Sequence, residues 1–337
     1  MSRSTETEDL RGPSAFVPEL EVVNCDLCGS MAGSLLLRGD DSRYGVSGTF
    51  AVVRCEVCDL VRVSPRPTLD SLSHYYPVEY EPHQDPGLQH RSRVGDLLRR
   101  LGLDSSGGAR RLLVWLYNCL AFRAFLAGAP GRILDVGCGA GAYLAVWKSL
   151  GWTVEGVEPN ERAAAVAAER LGATVHVGLV EDLQLEAGRY DLVTMCHSLE
   201  HVRSPRTVLR VVHRLLSQKG RLLLMMPNFA AWERSLLGED WYGLEIPRHL
   251  YHFEPRTLIN VLEKEGFVVR SLWGSAQPDG LIRSLRHRLG RHDADRAVGP
   301  VARVVGTAVL TLPAVLRRSG RMWAVAERAE DLAGPTI

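Results

Sequence analysis

From Arg132 onward, short apolar runs alternate with longer stretches whose apolar residues recur at helical spacing. Ile133–Val136, Thr153–Val157, Ala173–Val177, Asp191–Met195, Arg221–Met226 and Phe267–Leu272 read as six strands, and Met322–Ala326 as a late seventh. Between them, helices are predicted through Tyr143 to Leu150 and over the alanine-rich Glu161–Leu171. One more follows Ser204 as N-cap and Pro205 as first helical residue, and another runs from Glu254-Pro255 to Gly266. This alternation predicts an α/β fold, a doubly wound, mostly parallel seven-stranded sheet with helices on both faces. Ahead of it, Val94–Leu101 and Ala109–Leu126 have helical periodicity, the second with Leu112, Leu113, Leu116, Leu120 and Phe122 near one face. The expected organisation is a disordered tail (1–20), a small N-terminal unit (21–66), a helical linker or cap (67–128) and the core (129–330). Within the core, 230–253 forms a flap and 278–320 a helical insertion.

The N-terminal unit carries Cys25-Asp-Leu-Cys28 and Cys55-Glu-Val-Cys58. Two such pairs can complete a tetrahedral four-sulfur shell, and the glycines between them supply turns, as in a zinc ribbon or knuckle. The expectation is one structural zinc per chain; reduced thiols or two disulfides are the alternatives. Cys119, Cys138 and Cys196 are scattered. The chain has 337 residues, 46% of them hydrophobic, and a net charge of +1. That balance gives no global attraction to nucleic acid or an anionic membrane. The polar N-terminus lacks the apolar core of a signal peptide, and no 18-residue uncharged apolar run exists, so a cytoplasmic protein without a spanning helix is expected.

The turn after the first core strand, Leu134-Asp-Val-Gly-Cys-Gly-Ala-Gly141, lets a ligand approach backbone N–H groups closely. Asp135 sets a carboxylate where a pyrophosphate would be repelled and an ammonium group welcomed. Glu158, at the end of the second strand, can accept from two ribose hydroxyls. A ligand with a ribose and an ammonium but no phosphate is S-adenosylmethionine (SAM). With Gly156-Val-Glu-Pro159 and Asp191-Leu-Val-Thr-Met-Cys-His-Ser-Leu-Glu-His-Val202, the turn resembles the ordered motifs of class I SAM-dependent methyltransferases, which have a Rossmann-like core. The resemblance covers about Arg132 to Leu272. It implies Asp135, Gly137, Gly139 and Gly141 around the methionine end and Glu158 on the ribose. It also implies Val180 or Glu181 at the adenine, and Cys138, Pro159 and His197 in the same cofactor shell.

Cys-x-x-Cys, Cys-x-x-Cys-Asp-Leu-Val-Arg, Pro65-Arg-Pro67, Tyr75-Tyr-Pro-Val-Glu-Tyr80 and Trp241–Phe253 are similar to bacterial methyltransferases bearing a zinc knuckle. That resemblance implies a small-molecule, sugar or lipid acceptor in a biosynthetic pathway, methylated at oxygen or carbon. Removing the acceptor's proton calls for a base, and histidine suits neutral pH. His197, Glu200 and His201 follow the fourth strand; His249, Tyr251 and His252 lie in the flap. His201 is either a base or an orienting residue for the next helix. Arg248 either fixes an anionic substrate group or forms a salt bridge. Tyr242 and Trp241 suggest a hydrophobic lid, with Tyr242 and His252 as substrate contacts. No acidic cluster offers a magnesium site. The basic and apolar run 281–320 suits a peripheral membrane contact, packing on the cap, or a dimer contact, so monomer and homodimer both stay open. Competing readings are an rRNA base methyltransferase, disfavoured by the balanced charge, and a non-catalytic SAM-binding protein.

Overall fold

The computed structural model describes residues 16–77, 80, 130–290 and 300–329. Of the predicted tail (1–20), residues 1–15 lie outside the described residues, as do the predicted helices Val94–Leu101 and Ala109–Leu126, while Leu20 already belongs to a strand. The N-terminal part opens with the two-residue strand β1 (Leu20–Glu21), which pairs with β5 (Arg66–Pro67). Between them β2 (Gly33–Asp40), β3 (Thr49–Cys55) and β4 (Val61–Val63) form an antiparallel meander. A short helix α1 (Leu69–Ser73), capped by the Thr68 hydroxyl, follows.

The core then runs β6 (Arg132–Val136), α2 (Ala142–Ser149), β7 (Thr153–Glu158), α3 (Glu161–Leu171), β8 (Val175–Val177), β9 (Tyr190–Cys196), α4 (Pro205–Leu215) and β10 (Leu216–Pro227). It continues through α5 (Trp232–Leu237), β11 (Tyr251–His252), α6 (Pro255–Lys264), β12 (Phe267–Gly274), α7 (Asp279–Arg288), α8 (Pro300–Val315) and β13 (Arg321–Arg328). Ser204 caps α4 by accepting from Thr207 N, with Pro205 at its start, and Thr257 closes a capping box with Glu254 on α6. Both starts lie where the sequence puts them. Asn160, which caps α3, carries the same kind of signal.

The main sheet has the order β12-β13-β10-β9-β6-β7-β8. Only β13 is antiparallel to its neighbours, so the expected seven-stranded, mostly parallel sheet is present. The chain winds from β6 outward to β8, then returns beside β6 as β9. Ligands of such sheets sit outside the carboxyl ends at this switch point. Because β13 runs backwards, its first residue, Arg321, lies at that same end.

The N-terminal unit is joined to the core in two ways. Its cysteine-bearing residues Cys25, Leu27, Cys55 and Leu60 belong to the same buried cluster as Leu134, Met195 and Leu224 of the main sheet. The flap also donates a strand: β11 extends the meander beside β4, Tyr251 facing Arg62 and His252 facing Val61. Just before β11, Arg248 is fully buried and makes a bidentate pair with Asp41 (Nη2–Oδ1 2.6 Å, Nη1–Oδ2 3.0 Å). Its remaining donors reach the Tyr75 carbonyl at 2.8 Å and Glu245 at 3.1 Å. No helix among the described residues is long and apolar enough to cross a membrane.

Removing one partner of a buried ion pair strands the other charge and costs about 3–5 kcal/mol, whereas an apolar replacement of both is near neutral. Asp41→Ala is therefore expected to lower unfolding stability by about that amount, and the double change Asp41→Leu with Arg248→Met to recover most of it. Urea denaturation checks this; an Asp41→Ala loss below about 1 kcal/mol would contradict the role given to the pair.

Candidate functional site

The turn after β6 is held by backbone bonds. Gly137 N and Cys138 N both donate to the Val157 carbonyl, at 2.8 and 3.1 Å. Gly137 has a φ of +78°, and a Cβ there would meet Ser198 Oγ at 2.7 Å, so glycine is required. Glu158 ties the ends of two strands together: its oxygens accept from Gly139 N and Asn160 N, each at 2.9 Å. Asp135 accepts from Thr194 Oγ1 at 2.6 Å. Burial pushes the Asp135 carboxyl up to about 7; the Thr194 hydroxyl opposes that rise and the Glu158 charge adds to it. Burial also raises Glu158, against the two backbone donors. Val180 is buried, Glu181 is half-buried, and Pro159 is exposed beside Glu158. The residues expected at the cofactor thus follow the carboxyl ends of β6, β7 and β8 and, for His197, of β9.

The expected proton-handling residues converge next to them. His197, directly after β9, takes a left-handed conformation (φ +55°), and its Nδ1 lies 3.1 Å from Glu200 Oε1. The His201 and His249 rings meet edge to face with centroids 4.6 Å apart. His201 Nδ1 contacts the Tyr76 hydroxyl at 3.1 Å, and His249 Nδ1 donates to the Gly243 carbonyl at 2.9 Å. The Glu200 carbonyl accepts from Leu250 N and Tyr251 N, which fixes the flap against the β9 loop. Burial dominates the titration of these groups. It lowers His201 to about 4, with His249 adding, and His197 to about 3, with Arg321 adding. His249 is also lowered by burial and Glu200 raised by it. The histidines are therefore neutral at pH 7. Glu245 behaves oppositely: burial would raise it, but His249, Arg43 and Arg248 hold it at about 2.

Arg248 and Tyr251 are placed elsewhere, whereas His252 is a neighbour of His249, with ring centroids 6.3 Å apart. Arg248 is spent on Asp41, Glu245 and Tyr75, so it is not exposed to an acceptor. Tyr251 lies in the main core, its ring stacked with Phe253 and its hydroxyl donating to the Arg203 carbonyl at 3.1 Å. Adjacent residues of a strand point to opposite faces, so His252 turns the other way. There it packs on Phe229 with centroids 5.1 Å apart and is only 4% exposed. Tyr242 is bonded to Arg283 (2.7 Å), and its ring is flanked by the guanidinium groups of Arg43 and Arg283. Trp241 is buried in the apolar cluster with Phe229 and Ile246. Thr194, Tyr76, Glu245 and Arg321 belong to the site and were not singled out from sequence. Thr194 has a readable signal, since it follows Leu192 by two on a strand and so shares its face; Glu245 and Arg321 depend on distant pairing.

In the N-terminal unit the two cysteine turns have matching bonds. Cys25 N donates to Ser30 O and Gly29 N to Cys25 O; Cys55 N donates to Leu60 O and Asp59 N to Cys55 O. Gly29 and Asp59 share a left-handed conformation. The four sulfurs lie within 4.8 Å of one another, with Cys25–Cys58 and Cys28–Cys55 each at 3.4 Å. Tetrahedral coordination at a Zn–S distance of about 2.3 Å spaces sulfurs by roughly 3.8 Å, so the donor set fits one zinc. All described cysteines are free thiols, Cys138 and Cys196 included; Cys119 lies outside the described residues.

Residues 109–272 match the family model described as "Methyltransferase domain". This segment of the chain is therefore similar to methyltransferase domains, in agreement with the resemblance drawn from its motifs. It is 35% identical over 140 residues to a ubiquinone biosynthesis O-methyltransferase of Xanthomonas oryzae pv. oryzae, covering 39% of this chain and 58% of that protein. A Pseudomonas aeruginosa protein of the same name is 32% identical over 146 residues, 40% of this chain and 61% of its own length. The chain thus spans less than two thirds of these relatives. Among solved structures, a SAM-dependent methyltransferase from Archaeoglobus fulgidus aligns with 21% identity and a TM-score of 0.43, covering 65% of this chain and 92% of its own.

Proposed function

We propose that the protein transfers the SAM methyl group to an oxygen of a small-molecule acceptor in a biosynthetic pathway. The observation that carries this reading is the meeting of two groups of residues at one end of the sheet. Asp135 and Glu158 would hold the cation-bearing cofactor, and Glu200, His201 and His249 would handle the charge that develops on the acceptor's oxygen. Asp135 would face the ammonium and Glu158 the ribose hydroxyls, since each Glu158 oxygen has two lone pairs. In-line displacement needs alignment and exclusion of water, and the flap supports both by closing the acceptor side with buried residues. The relatives' printed activity supports oxygen as the methylated atom. With methyl-labelled SAM and a bacterial extract, label should enter the small-molecule fraction. Label in RNA instead would favour the rRNA alternative, and bound SAM without transfer would favour a non-catalytic protein.

Asp135 gives this reading a pH signature. With its carboxyl near 7, it must lose a proton before it can pair with the ammonium, so SAM binding should strengthen as pH rises toward 7. Below that pH, each unit adds up to about 1.4 kcal/mol to the cost. The trend should appear between about pH 5.5 and 7, where the cofactor's α-amino group keeps its proton. It should vanish in Asp135→Asn, which should also bind SAM roughly tenfold more weakly at pH 7. A calorimetric affinity that stays flat across this range would refute the assignment.

The four cysteines would hold one structural zinc. A closed four-sulfur shell leaves no position for substrate, so the ion would contribute folding energy, on the order of 10 kcal/mol in isolated small domains. Cys55→Ser should lose stoichiometric zinc and expose the 21–66 segment to limited proteolysis. Because β11 is paired with β4, cleavage should reach the flap near Tyr251 as well. Zinc content well below one per chain after zinc-replete growth would count against this.

A further inference from the structure

Glu200, His201 and His249 each use one polar atom on a neighbour. Glu200 places Oε1 3.1 Å from His197 Nδ1, while its Oε2 is buried with no hydrogen-bond partner among the described residues. Glu200 is only 1% exposed, and a carboxylate oxygen left unsatisfied at that depth is costly. His249 donates through Nδ1 to the Gly243 carbonyl, which can only accept; its Nε2 therefore presents a lone pair, with Glu245 Oε2 3.8 Å away. His201 uses Nδ1 on the Tyr76 hydroxyl. One ligand atom each from Glu200, His201 and His249 lies within 4.8 Å of the others.

We propose that Glu200, His201 and His249 form a second metal site, a two-histidine, one-carboxylate face for a divalent first-row cation such as manganese, iron(II) or zinc. Imidazole and carboxylate donors together suit these ions better than magnesium, which prefers oxygen alone. The contacts to Gly243, Tyr76 and His197 are those that orient metal ligands and set their tautomers. Three protein ligands leave coordination positions open, in contrast to the closed four-cysteine shell. A cation bound there would take an oxygen of the acceptor and stabilise its negative charge. This last role rests on the proposed methyl transfer; the metal site itself does not. The three residues are not recognisable as one ligand set from sequence, because the third comes from the flap and is brought in by the β11–β4 pairing.

The test uses the full-length protein with zinc retained at its cysteines, titrated with Mn2+ while the free ion is followed by electron paramagnetic resonance. One Mn2+ should bind per chain. Losing a mere neighbour of a ligand typically costs about 10–100-fold in affinity, so Glu200→Gln and His249→Ala should each weaken binding at least about tenfold. Glu200→Gln is isosteric; if His249→Ala fails to fold, Glu200→Gln decides. Unchanged melting temperature and SAM affinity would show that the variants keep the fold. Absence of saturable Mn2+ binding, or binding that survives both substitutions, would overturn the site. Mn2+ bound as expected without methyl transfer would instead sink the proposed reaction and leave the metal site standing.

Discussion

The Arg248–Asp41 pair is the constraint from which the acceptor side is built. Both side chains are fully buried, so their attraction acts in a low-dielectric setting, and the Tyr75 carbonyl and Glu245 carboxylate satisfy further guanidinium donors. The pair ties the turn after β2 to the segment that leads into β11. With Arg248 fixed, Leu250 and Tyr251 fall into register with the Glu200 carbonyl, and the strand pairs with β4. His249 lies between these two anchors and is thereby carried against His201. The flap is therefore not a loose lid over the cofactor domain. It is a strand of the cysteine-bearing sheet, and the position of His249 depends on that sheet.

Local order was legible and long-range order was not. Strand and helix positions in the core follow from periodicity and from caps such as Ser204-Pro205, because those signals need only neighbouring residues. The glycine turn with Asp135 and Glu158 was legible for the same reason, each lying at the end of its own strand. Two differences are informative. The strand expected over Arg221–Met226 extends from Leu216 to Pro227, since pairing with β13 and β9 recruits flanking polar residues that have no strand pattern of their own. Arg248, Tyr251 and His252 looked alike as polar flap residues, yet strand alternation and the Asp41 pair separate them into an anchor, a core residue and a buried neighbour of the site. Nothing in the flap's own sequence states that its partner is β4.

The same division explains the electrostatics. The cofactor half holds two buried carboxylates, kept from full ionisation penalty by Thr194 and by backbone donors. The acceptor half holds histidines that burial keeps neutral, beside a Glu245 kept charged by Arg43 and Arg248. A cationic cofactor is matched to the first half, because burying its charge beside Asp135 and Glu158 relieves the strain of both. Neutral imidazoles in the second half have lone pairs to offer, either to a proton or to a cation, which protonated ones would not.

Two sets of possible metal ligands in one chain would then differ by design of their surroundings rather than by distance from the sheet. The four thiolates sit in matched turns whose backbone N–H groups and carbonyls close on each other, and their shell is complete without any ligand from outside. Glu200, His201 and His249 come from two segments joined only by tertiary pairing, and their shell is incomplete. Completeness suits folding, since a closed shell cannot exchange with substrate. Incompleteness suits chemistry, since an acceptor oxygen can enter where a fourth protein ligand is missing. The β11–β4 pairing would couple the two: a closed shell would steady the sheet on which one side of the open shell is carried.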